Sequence, residues 1–396
     1  MNTPADNVPD ISLPALFAKF LRFGMLAFGG PVAQIAMIRH ALVDEEGWIT
    51  SSRFNRLLAV MQVLPGPEAH ELCVHMGMVA RGRLGGILAG LGFMLPGFVL
   101  MLLCGWAYAA FIAGSVLLAG VLLGVQAAVL AIILRAVHRI GSHILVDSTL
   151  AGLAVLGLIG TLAGIPFWVL LVAAGAAYAG FRRPAAIWGS VLLVALAAWV
   201  VTRTPDASTA VALARAGTPA TILALFVAGL KGGLLTFGGA YTAIPYVRAD
   251  TVGRGWISDG AFLDGVAIAG LLPAPLVIFA TFAGYLAGGW GGALAITAGI
   301  FLPAFAFSLL FFERLEAVVD NPLLHRLLDG VAAMVVGIIA ATFVELGAST
   351  LARAPQPLAI AGIFVVAALA SWRLKGRWLP FALVTFGGVA GWLAFS

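Results

Sequence analysis

The chain is a nearly continuous series of long apolar segments, divided by short stretches that hold its charged and turn-forming residues. A membrane-spanning helix needs about 20 apolar residues. This pattern predicts an all-α polytopic membrane protein with about thirteen spans. They are approximately residues 13–38, 54–79, 84–111, 113–138, 147–164, 166–180, 186–203, 218–240, 261–286, 291–312, 325–347, 357–371 and 378–395. For the two pairs of short segments around Ile165-Pro166 and Leu379-Pro380, the alternative to full spans is a re-entrant hairpin.

Composition supports a membrane protein and excludes a soluble enzyme, because 62% of the residues are apolar and 10% are charged, against about 25% charged in soluble domains. The Lys and Arg residues lie singly or in pairs at the ends of apolar segments, which argues against a nucleic-acid partner and for a lipid bilayer. Most of the loop cations, including Arg81, Arg83, Arg135 and Arg139, share a side with the N-terminus, which predicts a cytoplasmic N-terminus.

No cofactor or metal site is expected. Cys73 and Cys104 both lie in apolar segments, so neither a disulfide framework nor a Cys-rich metal site is available.

The chain resembles itself at a spacing of about 209 residues, a period far too long for a solenoid repeat. The sequence therefore predicts a duplicated membrane domain, with a first copy at 1–183, a linker span at 184–217 and a second copy at 218–396. Matching pairs include Phe17 with Phe226, Gly24 with Gly233, Phe28-Gly29-Gly30 with Phe237-Gly238-Gly239, Arg39 with Arg248, Gly47-Trp48-Ile49 with Gly255-Trp256-Ile257, and Leu95-Pro96 with Leu302-Pro303.

The two copies are predicted to cross the membrane in opposite directions, because seven spans precede the second copy. Loop charges agree with this inversion: the first copy has Arg81 and Arg83 between its second and third spans, whereas the matching loop at 288–292 carries no charge. Inverted repeats are typical of alternating-access carriers.

Each copy contains two predicted helix breaks at matched positions. The Gly pairs Gly29-Gly30 and Gly238-Gly239 would leave backbone N–H groups available to an anion, although close helix packing through Gly explains such pairs equally well. In Pro65-Gly66-Pro67 and Pro273-Ala274-Pro275, two prolines remove two backbone donors, so the helix should unwind there. Paired broken helices indicate a transporter's binding site, while a simple kink is the alternative.

Arg22 and Lys231 match each other across the two copies, and both lie in apolar surroundings shortly before a Gly pair. Charged residues inside a span are costly and tend to face a polar cavity, so two symmetric cations indicate an anionic substrate. The alternative is that both side chains snorkel to the membrane surface.

Four titratable residues follow the proline break of the first copy alone: Glu68, His70, Glu71 and His75. Glu68, Glu71 and His75 fall on one face of a helix, an arrangement suited to proton relay or coupling. A hydrogen-bonded or salt-bridged cluster that only fixes the helix is equally compatible. The chain has no ATP-binding motif, so transport would draw on a gradient or on exchange.

These motifs together resemble the chromate ion transporter family in its long, two-copy form. The marks are Phe28-Gly29-Gly30-Pro31, Gly47-Trp48-Ile49 with Phe54, Pro65-Gly66-Pro67-Glu68-Ala69, and Ala280-Thr281-Phe282-Ala283-Gly284-Tyr285. The resemblance implies export of chromate from the cytoplasm across the cell membrane, driven by the membrane potential or the proton gradient, with sulfate as a structural analogue. An intramembrane enzyme is an alternative of a different class.

The chain departs from the family pattern at both proline breaks. His70, Glu71 and His75 stand where the family often has Gln or Thr and later Tyr, and Ala274 stands where Gly is common. Titratable groups near a site change its charge and its coupling, so the choice between chromate and another oxyanion stays open, as does the oligomeric state.

Overall fold

The computed structural model describes residues 10–28, 30–61, 64–112, 115–180, 194, 196, 219–236, 240–311, 322–374 and 379–395. Within these ranges the chain is helical and has no strands. The α-helices are α1 Leu13–Leu26, α2 Gly30–Arg39, α3 Ser51–Met61, α4 Glu68–Ala107, α5 Val116–Ile144, α6 Ser148–Leu162, α7 Phe167–Ala179, α8 Ile222–Leu234, α9 Ala243–Thr251, α10 Asp259–Leu271, α11 Phe279–Ala306, α12 Pro322–Arg353, α13 Pro357–Arg373 and α14 Leu379–Phe395. Short π-helical turns lie at His40–Glu45, Tyr108–Ile112 and Phe307–Phe311, and 3-10 turns at Ala240–Thr242 and Leu276–Ile278.

Four helical stretches in these ranges are long and apolar enough to cross a membrane: Glu68–Ile112, Leu118–Ile144, Leu276–Leu310 and His325–Arg353. Five shorter apolar helices, α6, α7, α8, α13 and α14, accompany them. Large apolar side chains such as Leu103, Val365 and Leu393 are exposed on the outer faces, where lipid would cover them. The all-α polytopic class is confirmed, the count of thirteen stays a prediction, and the span predicted at 186–203 lies outside the described residues except for 194 and 196.

Two of the long helices, α4 and α11, fold back on themselves as hairpins. Gly82 (φ 62°, ψ −159°) and Gly289 (φ 61°, ψ −152°) adopt the same backbone conformation, with a positive φ that glycine accepts without strain. In a straight helix Gly77 and Gly85 would be about 12 Å apart, yet a Cβ on Gly77 would lie 2.4 Å from the Gly85 carbonyl oxygen. These reversals lie where the sequence predicts a loop between two spans.

The first helix of each copy packs on its hairpin in the same way. Both begin with a hydroxyl cap, since Ser12 Oγ accepts from the Ala15 N–H and Thr221 Oγ1 from the Ala224 N–H. A Cβ on Gly24 would lie 2.4 Å from the Phe93 carbonyl oxygen, and one on Gly233 would lie 2.3 Å from the Ile300 oxygen. Matched glycines therefore bring matched backbones together, and the duplication seen in the sequence is also present in the fold.

One long helix of each copy packs against helices of the other copy. Helix α5 of the first copy packs against α13 and α14 of the second, while α12 of the second packs against α6 and α7 of the first. Glycines again permit the approach: a Cβ on Gly124 would lie 2.0 Å from the Gly387 oxygen, and one on Gly337 would lie 1.9 Å from the Ala154 oxygen. The largest core cluster accordingly contains residues of both copies, so the copies are intertwined.

Candidate functional site

Both proline breaks are unwound, as the sequence predicts. Residues 64–67 between α3 and α4 are non-helical, and Pro67 is extended (φ −77°, ψ 104°). In the second copy, α10 ends at Leu271, Leu272 is extended (φ −84°, ψ 152°), and Pro273 and Pro275 precede the 3-10 turn at 276–278. The missing proline donors leave the helix no way to continue at either position.

Each break lies against the end of the other copy's first helix, and we call this region the junction. The Gly66 N–H donates to the Thr236 carbonyl oxygen just after α8 (2.9 Å). On the opposite side, the Gln34 side chain donates from Nε2 to the carbonyl oxygens of Ala27, just after α1, and Ala274 (2.8 Å each). Because Ala27 and Thr236 are equivalent positions, the junction is a reciprocal contact between the copies.

A second reciprocal contact explains Ala274, the departure from the family pattern. A Cβ on Gly97 would lie 2.1 Å from Ala274 Cβ, and a Cβ on Gly66 would lie 3.1 Å from Ala304 Cβ. Residues 66 and 274 are equivalent in the two copies, and so are residues 97 and 304. In one contact the break residue is Ala274 and the hairpin residue is Gly97, whereas in the other the break residue is Gly66 and the hairpin residue is Ala304. One glycine in each contact is enough to let the break of one copy approach the hairpin of the other copy closely.

A cavity of about 50 Å³ adjoins the second copy's break, which is room for a few water molecules. Gly30, the first residue of α2, lines it together with Tyr241, Gly270 and Ala274. The N-terminal N–H groups of α2 therefore lie beside the cavity, where an anion would be favoured. The other predicted glycines of the breaks, Gly29, Gly238 and Gly239, lie outside the described residues.

The matched cations do not line this cavity. Lys231 forms an ion pair with Asp250 (Nζ–Oδ2 2.8 Å) and lies 4.7 Å from the centre of the Phe167 ring. Arg22 is exposed and has no ion-pair or hydrogen-bond partner among the described residues. Their role in substrate binding stays a prediction, and Lys231 shares the carboxylate of Asp250 with Arg254 (3.2 Å).

Two cations that the sequence analysis counts on the cytoplasmic side, Arg135 and Arg139, both lie within α5, although the predicted span ends at 138. Arg135 and Arg139 follow the cavity-lining Ile132 by three and seven residues, which puts all three on one face of the helix. Arg135 is partly buried and Arg139 is exposed, and neither side chain lines the cavity itself. The helix continues to Ile144, beyond the end of the predicted span at 138, and Ser142 and His143 near its end are exposed.

The four titratable residues of the first copy are all buried beside the junction. Glu68 is 8% exposed and His70, Glu71 and His75 are 1% or less. The His70 ring makes edge contacts with Phe301 (4.9 Å) and Phe305 (4.8 Å) of α11.

Glu71 lies against the unwound segment, because a Cβ on Gly66 would be 2.5 Å from its Oε1. Among the described residues its carboxyl oxygens have no hydrogen-bond partner, and neither glutamate forms a salt bridge. This arrangement does not support the salt-bridge alternative, and it leaves a buried carboxyl group that needs a proton or an unseen partner.

Sequence reasoning did not single out several buried polar side chains of this region, namely Gln34, Tyr108, Gln126 and Asp264. The available signal was an isolated amide or carboxylate within an apolar segment, which marks a functional candidate.

Comparisons with known proteins agree with the repeat and with the motifs. The chromate transporter family model matches residues 14–181 and again 223–392. The chain is 54% identical to the chromate transport protein of Pseudomonas aeruginosa, over 98% of this chain and 94% of that protein. It is 31% identical to a probable chromate transport protein of Synechococcus elongatus, over 98% and 97% of the two chains. It is also 31% identical to the chromate transport protein of Cupriavidus metallidurans, over 88% and 86%. No solved structure matches the chain significantly. The chain belongs to the chromate transporter family.

Proposed function

We propose that this protein is a secondary active transporter that exports chromate from the cytoplasm across the cell membrane by alternating access. The observation that supports this most directly is the junction, where each copy's unwound segment contacts the end of the other copy's first helix. Discontinuous helices meeting at a repeat interface are the usual setting of a transporter's substrate site. We further propose that the repeats are inverted and that the N-terminus is cytoplasmic.

The substrate site that we propose is the cavity at the junction. Gly30 and the start of α2 supply backbone N–H donors, and Arg135 and Arg139 supply positive charge from α5. A tetrahedral dianion suits both kinds of group. Sulfate has the same shape and charge and is expected to compete. Arg22 and Lys231 stay second candidates for binding, because their matched positions place one cation in each copy.

Coupling is assigned to Glu68, His70, Glu71 and His75. Their burial beside the Gly66 break means that a change of protonation would alter the packing of the unwound segment. The energy source is the proton gradient, the membrane potential or anion exchange.

Everted membrane vesicles carrying the protein provide the test. Chromate accumulation that requires an imposed gradient is expected, and vesicles that accumulate none above the level of empty membranes would overturn the proposal. Competition by sulfate in the same vesicles decides between chromate and another oxyanion as the preferred substrate. An enzyme would instead release a converted product from purified proteoliposomes.

A further inference from the structure

Asp264 is a buried carboxylate outside the cluster described above. It lies in α10, is 2% exposed and precedes the second copy's break by about two helical turns. Val266, Ala267, Ala269 and Gly270 of the same helix line the cavity at the junction. Any movement of Asp264 relative to its neighbours therefore moves a wall of the proposed substrate site.

Neutral donors hold the carboxylate. Tyr108 Oη donates to Asp264 Oδ2 (2.8 Å), and Gln126 Nε2 donates to Oδ1 (3.0 Å). The Gln126 Oε1 accepts from Arg353 Nη2 (3.2 Å), so Arg353 is the cation that faces the group, with the amide between them. Among the described residues Asp264 has no direct salt bridge, and Arg353 is the exposed end of the network.

The network joins four elements from both copies: the π-helical turn after α4, helix α5, helix α10 and helix α12. Phe282 of α11 covers the Tyr108 ring, with centroids 5.0 Å apart. The first copy has no carboxylate at the equivalent position of its sequence: the match of Phe54 with Phe262 makes Arg56 the counterpart of Asp264.

Protonation would rearrange this network. A charged carboxylate buried without a direct counter-ion is costly, and binding a proton removes that cost. The protonated group donates a hydrogen bond, whereas Tyr108 and Gln126 both approach it as donors. Protonation of Oδ2 reverses the Tyr108 bond, because a phenol hydroxyl can also accept. Protonation of Oδ1 makes the Gln126 amide turn its oxygen toward Asp264, which breaks the hydrogen bond from Arg353 and loosens the tie of α10 and α5 to α12.

We propose that Asp264 is a further ion-coupling carboxylate, in the second copy, which binds and releases the transported proton and thereby controls the docking of the cavity-lining helix α10. This inference rests on the proposed proton-coupled export. The first copy would contribute its acids after the Gly66 break, and the second copy would contribute Asp264 before its own break.

The test is Asp264→Asn, which keeps the size of the side chain and removes the titratable group. Two measurements in everted vesicles separate the roles: chromate accumulation driven by a pH gradient, and exchange of labelled for unlabelled chromate without a gradient. Gradient-driven accumulation should fall to the level of empty membranes while exchange is retained. The matched control is Asp259→Asn in the same helix, where the wild-type carboxylate pairs with Arg248 (2.8 Å). Chromate accumulation by this control variant should still depend on the pH gradient.

Equal loss of both activities in Asp264→Asn would show a structural role, and preserved gradient-driven accumulation would also overturn the inference. If wild-type vesicles respond to membrane potential alone, the inference fails while export stands; if they accumulate no chromate at all, the proposed function itself fails. Should the Asn variant be absent from membranes, Tyr108→Phe replaces it. That variant keeps the carboxyl group but removes a donor, so its pH profile of transport should be displaced, and an unchanged profile would contradict the inference.

Discussion

The Gly66 N–H donates a 2.9 Å hydrogen bond to the Thr236 carbonyl oxygen, so the unwound segment of the first copy is tied to the end of the second copy's first helix. On the opposite side of the junction a side chain, Gln34, takes the place of that backbone bond by joining Ala27 to Ala274. The same contact is therefore built in two ways.

Replacement of Gln34 by Ala should weaken the junction on one side only. Gln34 is 1% exposed and both of its N–H donors are used, so its loss leaves two carbonyl oxygens without their donor, at a cost of about 1–3 kcal/mol each if they stay dry. We expect a lower thermal midpoint in detergent and slower chromate uptake. Gln34→Glu keeps the size but lacks the donors, and should behave like the Ala variant; normal uptake in both would contradict a role for the amide.

Gly97→Ala should destabilise the protein by about 1–3 kcal/mol through overpacking, because its Cβ would lie 2.1 Å from that of Ala274. The double variant Gly97→Ala with Ala274→Gly restores the pairing found at Ala304 and Gly66, and should recover much of the loss. Gly152→Ala is the control, since a Cβ there meets nothing within 4 Å. Thermal unfolding of the purified proteins measures all three, and absence of rescue would argue against the exchanged pair.

Glu68→Gln should reduce proton-linked transport while the protein still folds. Glu68 begins α4 next to the unwound segment and forms no salt bridge among the described residues, so the amide leaves no charge unpaired. The measurement is chromate accumulation with and without a pH gradient. Glu45→Gln, an exposed substitution, is the control. Full retention of proton dependence would remove Glu68 from the coupling group.

Lys231 separates a binding role from a structural role. Asp250 pairs with both Lys231 (2.8 Å) and Arg254 (3.2 Å). If this ion pair is the main function of Lys231, Lys231→Met should impair the protein in part, because the largely buried carboxylate keeps only Arg254, and Lys231→Met with Asp250→Asn should restore transport. If the ammonium binds substrate, the double variant should stay impaired in chromate affinity. The Michaelis constant for uptake, measured beside protein level, distinguishes the two, and we expect restoration.

Arg135 and Arg139 should contribute more to chromate affinity than Arg22. They follow the cavity-lining Ile132 by about one and two turns of α5, so removal of either positive charge should lower the potential that attracts an anion to the cavity. Substitution of each by Gln should raise the Michaelis constant, and substitution by Lys should retain more affinity. Arg22→Gln is the comparison. Equal affinity in wild type and in the Arg135 and Arg139 variants would move the anion site elsewhere.

Comparison of the chain with itself was sufficient to find the duplication. The membrane class and the two proline breaks follow from short-range chemistry: apolar run length decides where a helix is stable in lipid, and paired prolines interrupt a helix in any surroundings. The turns at Gly82 and Gly289 also follow from local sequence, because the predicted loops coincide with them.

Tertiary structure decided which groups meet. The packing of α5 against the second copy makes one face of α5 a wall of the cavity, and the same helix carries Arg135 and Arg139. Tertiary packing also places Asp250 beside Lys231, and Tyr108 and Gln126 beside Asp264, at separations in the chain that no periodic pattern encodes. The physical reason is that the free energy of a buried charge depends on its partners in space, and those partners are fixed only when the two copies pack together.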